Sequence, residues 1–232
     1  PDIHALGNPL ISYSVYLNNS FLPGLLQLMI LLVTVFSIGS EMKRATSREW
    51  LRTADDSIII AITGKLIPQT IIFFSMGLLY LSLLYGYLHF PMHNSIWHMI
   101  FAMFLLVVAS QSFAVIIMCF APSLRIGLSV GGLVGVLSLS IAGFSFPVPA
   151  MYLPFQAISY VLPVRHYFLI YVDQALNGIP LYYSRVHYVA LILFAVASTP
   201  LLPRLKKALM RQVYVPSVSY THLRAHETTL HL

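Results

Sequence analysis

His89, His93 and His98 follow one another at steps of four and five residues, a density that could belong to a metal site. Zinc needs three or four ligands converging at about 2.0–2.1 Å. Pro91 and Trp97 interrupt the segment and no acid accompanies it, so histidines lining a membrane interface are the simpler expectation. Arg165, His166 and Asp173 can share one face of a short helix, where a structural ion pair is expected. Motifs for nucleophilic, redox or phosphate chemistry are missing. There is no HExxH, CxxC or GxSxG, and Gly64 and Lys65 lack the earlier glycine of a GxxxxGK[ST] loop. A single cysteine, Cys119, leaves neither a disulfide framework nor a cysteine metal cluster. A membrane enzyme using His89, His93, His98 or His166 at its outer surface stands as the alternative reading.

The elements that must position these groups are apolar and long. Five blocks, at about 21–40, 58–88, 96–121, 126–146 and 186–202, are free of Asp and Glu. Each approaches or exceeds the roughly 17–25 residues that a helix needs to cross about 30 Å of hydrocarbon. With 9% charged residues and mean hydropathy +0.82, the chain has too much apolar surface for a water-soluble core. The expected class is an all-α polytopic membrane protein with five transmembrane helices. The net charge of +6 does not point to nucleic acid, because the cations sit beside spans. Lys43, Arg44, Arg48 and Arg52 fill the first gap, Arg125 the third, and Arg204, Lys206, Lys207 and Arg211 follow the last block. Basic gaps face the cytoplasm, which puts the N-terminal end outside and the C-terminal end inside.

Within the blocks, Gly127, Gly131 and Gly135 recur every four residues and form a helix-packing face. Lys65 lies a little inside the cytoplasmic end of its block, where it can extend its ammonium to the headgroups or serve as a buried counter-ion. Gln27, Thr34 and Ser138 are neutral polar groups within spans, open to helix–helix hydrogen bonding or to lining a translocation path. Intramembrane carboxylates would mark an ion-coupled carrier, and these blocks have none. Pro147, Pro149, Pro154 and Pro163 rule out a straight helix over 147–178, which is read as a re-entrant helical hairpin in the outer leaflet with a belt of tyrosines. In the loop at 41–56, Arg44, Arg48 and Arg52 at four-residue steps predict a helix with one basic stripe beside Trp50 and Leu51. Such a helix suits anionic lipid headgroups or a cytoplasmic partner.

The ends differ in character. The chain opens at Pro1 with no leader pattern and reads as the back part of something longer, with 1–20 closing an extracytoplasmic region. Residues 217–232 depart in composition and resemble translated sequencing-adapter DNA, and they carry no weight in the functional reading.

An ordered series of landmarks runs from Asn8 and Pro9 through Phe21, Leu22, Pro23 and Gly24. It continues with Glu41, Thr46, Glu49, Leu51 and Thr53, then Gly64, Lys65 and Pro68. It closes with Gly143, Phe144, Phe146, Pro147, Met151, Pro154, Gln156, Ser159, Pro163, Tyr167, Asn177 and Gly178. This series resembles the ABC-2 type transporter permeases, membrane subunits of bacterial ABC exporters of the daunorubicin-resistance and multidrug class. The resemblance implies spans two to six of a six-span half-transporter over 21–211, in the bacterial inner membrane. It implies a second permease subunit, homo- or heterodimeric, and a separate cytoplasmic ABC ATPase, with membrane lipid as surroundings. It implies no catalytic residue, cofactor or metal in this chain. Glu41, Arg44, Thr46, Arg48, Glu49, Leu51 and Arg52 would form the ATPase-coupling helix, and Gln27, Thr34 and Ser138 the translocation path. Pro147, Pro154, Gln156 and Pro163 would shape the hairpin. Where the family pattern has Gly before the loop threonine this chain has Ala45, so a turn needing positive φ would be strained there.

Overall fold

The structure, a computed structural model, describes residues 13–143 and 147–211. Asn8, Pro9, Phe144, Phe146, the first twelve residues and the segment 217–232 lie outside the described residues. Among the described residues nine α-helices follow in order: α1 (Tyr13–Lys43), α2 (Ser47–Arg52), α3 (Ile58–Leu81), α4 (Ile96–Phe120), α5 (Leu124–Ile141), α6 (Leu153–Tyr160), α7 (Pro163–Tyr171), α8 (Leu181–Val196) and α9 (Leu202–Arg211). Wider π-helical turns extend α3 over Ser82–Tyr87 and α7 over Val172–Leu176. No strand occurs among the described residues.

Among the described residues five helices are long and apolar enough to cross a membrane: Phe21–Lys43, Ile58–Tyr87, Ile96–Phe120, Leu124–Ile141, and α8 with α9 as Leu181–Arg211. The all-α class and the five spans are those expected from the apolar blocks. The fourth of these spans, α5, stops at Ile141, five residues short of its apolar block, because Gly143 takes φ +103°. Its carbonyl end meets Arg165, whose Nη1 lies 2.7 Å from where a Cβ on Gly143 would stand. A side chain there would displace the guanidinium as well as strain the backbone.

α4 is the most enclosed of the five, with Met99, Met103, Leu106, Val107 and Met118 fully or almost fully buried. α1 packs chiefly on α5 and α4, and α8 packs on α4 and α7. The glycine face of α5 is spent within the chain, against α1. A Cβ on Gly127 would come 2.9 Å from Val35, and one on Gly135 would come 2.3 Å from the Leu28 Cδ1 and 3.2 Å from the Leu28 Cα. In lipid no water drives helices together, so this close backbone approach supplies much of the attraction. The lipid-facing sides keep their large side chains exposed, among them Met29 and Phe36 on α1, Ile71 and Leu79 on α3, and Leu133 and Val136 on α5.

Polar groups inside the bundle are paired across helices. Gln27 donates to Ser138 at 3.0 Å and accepts from the Val164 N–H at 2.8 Å, joining α1, α5 and the free N-terminus of α7. Thr34 donates to Gln69 at 3.1 Å, Thr70 to Gln111 at 2.8 Å, and Ser112 to Ser198 at 2.9 Å. Pro68 sits inside an unbroken α3, and hydroxyl and amide donors from Thr70 and Gln111 converge on the Leu66 carbonyl in that turn. The buried side-chain atoms without a partner among the described residues are Ser159 Oγ, Arg165 Nε and Tyr171 OH, all in α6 and α7.

The two classes of α5 glycine separate in a thermal-unfolding measurement in detergent. Gly135→Ala must push on the Leu28 backbone and should cost about 1–3 kcal/mol by overpacking. Gly132→Ala meets nothing nearer than 3.8 Å and should be neutral or stabilising by up to about 1 kcal/mol, the usual gain of Ala over Gly in a helix.

Candidate functional site

The α1–α3 connection is anchored by the ion pair between Lys65 Nζ and Glu41 Oε1, 2.6 Å apart, with side chains 19% and 23% exposed. Lys65 also donates to the Ser37 carbonyl at 2.7 Å, and its ammonium lies 4.5 Å from the centroid of the Trp50 ring. It therefore acts as a counter-ion within the chain, not by reaching out to headgroups. The Thr46 hydroxyl donates to the same Glu41 carboxylate, and Ser47 Oγ to the Glu41 carbonyl at 3.1 Å. Glu41 thus holds together the end of α1, the start of α2 and the first turns of α3.

The helix in this loop is short. α2 covers only Ser47–Arg52, so the expected three-arginine stripe does not form. Arg44 precedes a sharp turn at Ala45, which adopts φ +61°, and only Arg48 and Arg52 share the helix. The left-handed turn survives without glycine, held by the Ala45 and Thr46 N–H groups donating to the Met42 and Glu41 carbonyls. Leu51 points away from the surface. It is fully buried with Ala54, Ile58, Leu202, Leu205 and Leu209 against α1 and α4. Of the residues expected to couple, Arg44, Arg48, Glu49 and Arg52 are exposed, Glu41 and Thr46 serve internal bonds, and Leu51 is core.

Sequence reasoning missed the partner of this loop. α9 has leucines on one side and cations on the other, a pattern visible at Leu202, Leu205 and Leu209 but read as a basic tail after the last span. Arg48 Nη2 donates to the Met210 carbonyl at 3.2 Å, and Lys206 Nζ to the Asp56 carbonyl at 2.6 Å. The first bond satisfies a carbonyl in the last turn of α9, where a cation is favoured. α2 is therefore braced from both sides, by Glu41–Lys65 and by α9.

The other expected sites resolve differently. Gln27, Thr34 and Ser138 are each 0% exposed and bonded within the chain, so in this protomer they tie neighbouring helices together. Of the hairpin residues, Pro154 and Pro163 occupy the first turns of α6 and α7, where a missing N–H costs nothing. Pro147 precedes the 3₁₀ turn Val148–Ala150, and Gln156 Nε2 donates back to the Met151 carbonyl at 2.8 Å. The expected Arg165–Asp173 ion pair is absent: Arg165 donates to the Ala142 carbonyl at 3.1 Å and stacks on Tyr160, while Asp173 accepts from Ser184 at 3.0 Å. The carbonyl end of α5 offers the guanidinium a partner within reach, whereas the Asp173 carboxylate stands beyond the end of α7.

The histidines do not assemble. His93 and His98 each place Nδ1 on a backbone carbonyl, of Ala175 and Ser95, and His89 stands apart at φ +51°. His166 donates from Nε2 to the Tyr160 carbonyl and faces His187 across 3.4 Å. Burial pushes His166 below its ordinary value, and His187 and Arg165 push the same way against the Tyr160 hydrogen bond. No three His, Cys, Asp or Glu side chains among the described residues could hold a metal ion together.

The fold is thus a bundle of apolar spans with one elaborately braced polar loop. A family model described as ABC-2 family transporter protein matches residues 2–202. This chain belongs to the ABC-2 transporter family. It is a multi-pass membrane protein and a membrane permease component of an ABC transporter, a transport subunit and not a catalytic one. No curated protein matches it. In this ABC-2 permease the loop between α1 and α3 is the site where sequence landmarks, exposed charge and a two-sided brace coincide.

The brace is measurable by a double-mutant cycle on thermal stability. Glu41→Gln and Lys65→Met should each cost about 1–3 kcal/mol, by stranding a partly buried charge, and the double variant should lose less than their sum by about 0.5–3 kcal/mol. Ala45→Gly should instead raise stability by about 1 kcal/mol, because it relieves a left-handed alanine.

Proposed function

We propose that the chain is the permease subunit of an ATP-driven exporter, forming the translocation path with a second permease subunit and docking a separate cytoplasmic ABC ATPase through α2. The observation that carries this reading is the α2 loop itself. It exposes Arg44, Arg48, Glu49 and Arg52 and is rigidly tied at its base to α1 and α3, and at its far side to α9. A contact that transmits force needs a lever that does not fold back when pushed, and preorganised charged groups give such a contact register and specificity. Membership in the ABC-2 family supports an ATPase partner, and the ordered landmarks resembling multidrug permeases support export.

The orientation follows from charge. Lys43, Arg44, Arg48, Arg52, Arg125, Arg204, Lys206, Lys207 and Arg211 all belong to α2, α9 or the ends of the spans that meet them. By the positive-inside rule this face is cytoplasmic and the α6–α7 hairpin faces outward, in a bacterial inner membrane. The hairpin would cap the path, and the exposed faces of α1 and α5 would meet the second permease subunit, homo- or heterodimeric.

The test is co-purification of the tagged chain with its co-expressed ATPase. Leu51→Ala is a poor probe, since deleting a buried leucine costs about 2–5 kcal/mol in packing alone. Glu49→Arg with Arg52→Glu, at exposed positions with no side-chain bond to the rest of the bundle, should leave thermal stability within about 0.5 kcal/mol of the parent. The same variant should lose the ATPase, because like charges brought together at an interface cost several kcal/mol. Undiminished co-purification and transport in that variant would remove α2 as the coupling element.

A further inference from the structure

α9 carries a cationic feature that its contact with the α2 loop does not use. Its leucine side is buried, and the opposite side repeats cations at Arg204, Lys207 and Arg211, steps of three and four that fall on one face of a helix. Between this face and the end of α4 lies an open cleft of about 370 Å³, lined by these three side chains with Phe120, Pro122 and Ala208. The Arg204 guanidinium lies 4.7 Å from the Phe120 ring centroid, which holds it at the cleft wall. Lys206, the neighbouring cation, is turned away onto the Asp56 carbonyl. Among the described residues no carboxylate reaches Arg204, Lys207 or Arg211, and the one ion pair is Glu41–Lys65 on another face.

Three cations with no carboxylate partner among the described residues surround one cleft and call for an anion, and the cleft's position says which kind. Phe120 ends a membrane-spanning helix and is 59% exposed, and Ile126, in the first turn of the next, is 53% exposed. The cationic mouth therefore opens directly onto the apolar belt of the spans. A soluble anion would use the charges and leave that wall bare, whereas a phospholipid uses both, with its phosphate among the cations and its acyl chains along α4 and α5.

We propose that this cleft is a binding site for the headgroup of an anionic phospholipid, with Arg204 and Lys207 as the principal phosphate ligands and Arg211 completing the charge. Arg204, preorganised on Phe120, offers two parallel donors to the phosphodiester, and Lys207 acts as a point charge. The bound lipid would fix the depth of α9 at the membrane edge, on the helix that braces the α2 loop. The inference needs only that the spans cross a bilayer, so it stands or falls independently of the ATPase partner.

The experiment is native mass spectrometry of the full chain in detergent, titrated with phosphatidylglycerol or with phosphatidylcholine of the same acyl chains. The expected result is preferential retention of phosphatidylglycerol, reduced about fivefold for each cation removed in Lys207→Gln and in Arg204→Gln with Lys207→Gln. Arg204→Lys with Lys207→Arg, which keeps the charge, should retain the preference, and Arg185→Gln, outside the cleft, should not alter it. Lys207 is exposed and makes no side-chain bond among the described residues, so the single variant gives an answer even if the double one folds poorly. Equal retention of the two lipids, an unchanged preference in Lys207→Gln and the double variant, or complete displacement by millimolar inorganic phosphate would each overturn the assignment.

Discussion

Hydrocarbon offers no hydrogen bonds, so each polar side chain in a span must find a partner within the protein, on its own helix as Ser110 does or on another helix. Gln27, Thr34, Thr70 and Ser112 meet this demand with Ser138, Gln69, Gln111 and Ser198, and their pairings fix which helices are neighbours. Gln27 has the widest reach. Its amide binds α5 and its carbonyl oxygen takes the Val164 N–H, so one side chain sets where the hairpin helix α7 meets the bundle. The buried polar atoms left without a partner among the described residues, Ser159 Oγ, Arg165 Nε and Tyr171 OH, fall in that same hairpin.

Around this polar framework the apolar packing follows size. Glycines on α5 let α1 come within backbone contact, while α4, ringed by methionines and small residues, fills the centre. Other large side chains, Phe36, Ile71, Leu79 and Leu133 among them, face outward, where lipid is as good a neighbour as protein.

The α2 loop uses the opposite physics. It stands at the edge of the bundle, where charges are tolerated, and it is made stiff by spending some of them internally. Glu41 and Lys65 neutralise each other, Arg48 and Lys206 bind carbonyls across the α2–α9 contact, and Leu51 anchors the loop in the core. What remains exposed is a small set of charges on a firm base. α9 is central to this arrangement, since its leucines complete the core under α2 and its cations serve both the loop and the cleft beside Phe120.

Residue type and spacing were enough to determine the all-α class and the five helices long and apolar enough to cross a membrane, because each is a local or periodic property of the chain. The sequence could also name Arg44, Arg48 and Arg52 as a basic group, but a four-residue step means one face only if the helix continues, and the turn at Ala45 ends it. Gln27, Thr34 and Ser138 were legible as intramembrane polar residues, yet whether such a group faces a path or a partner depends on a helix distant in sequence. The tertiary structure alone decided that Lys65 belongs to Glu41, that Arg165 belongs to the end of α5 instead of Asp173, and that α9 folds back to brace α2. These are contacts between segments 23 to 162 residues apart, and one sequence records the appetite of each group for a partner without recording which partner comes within reach.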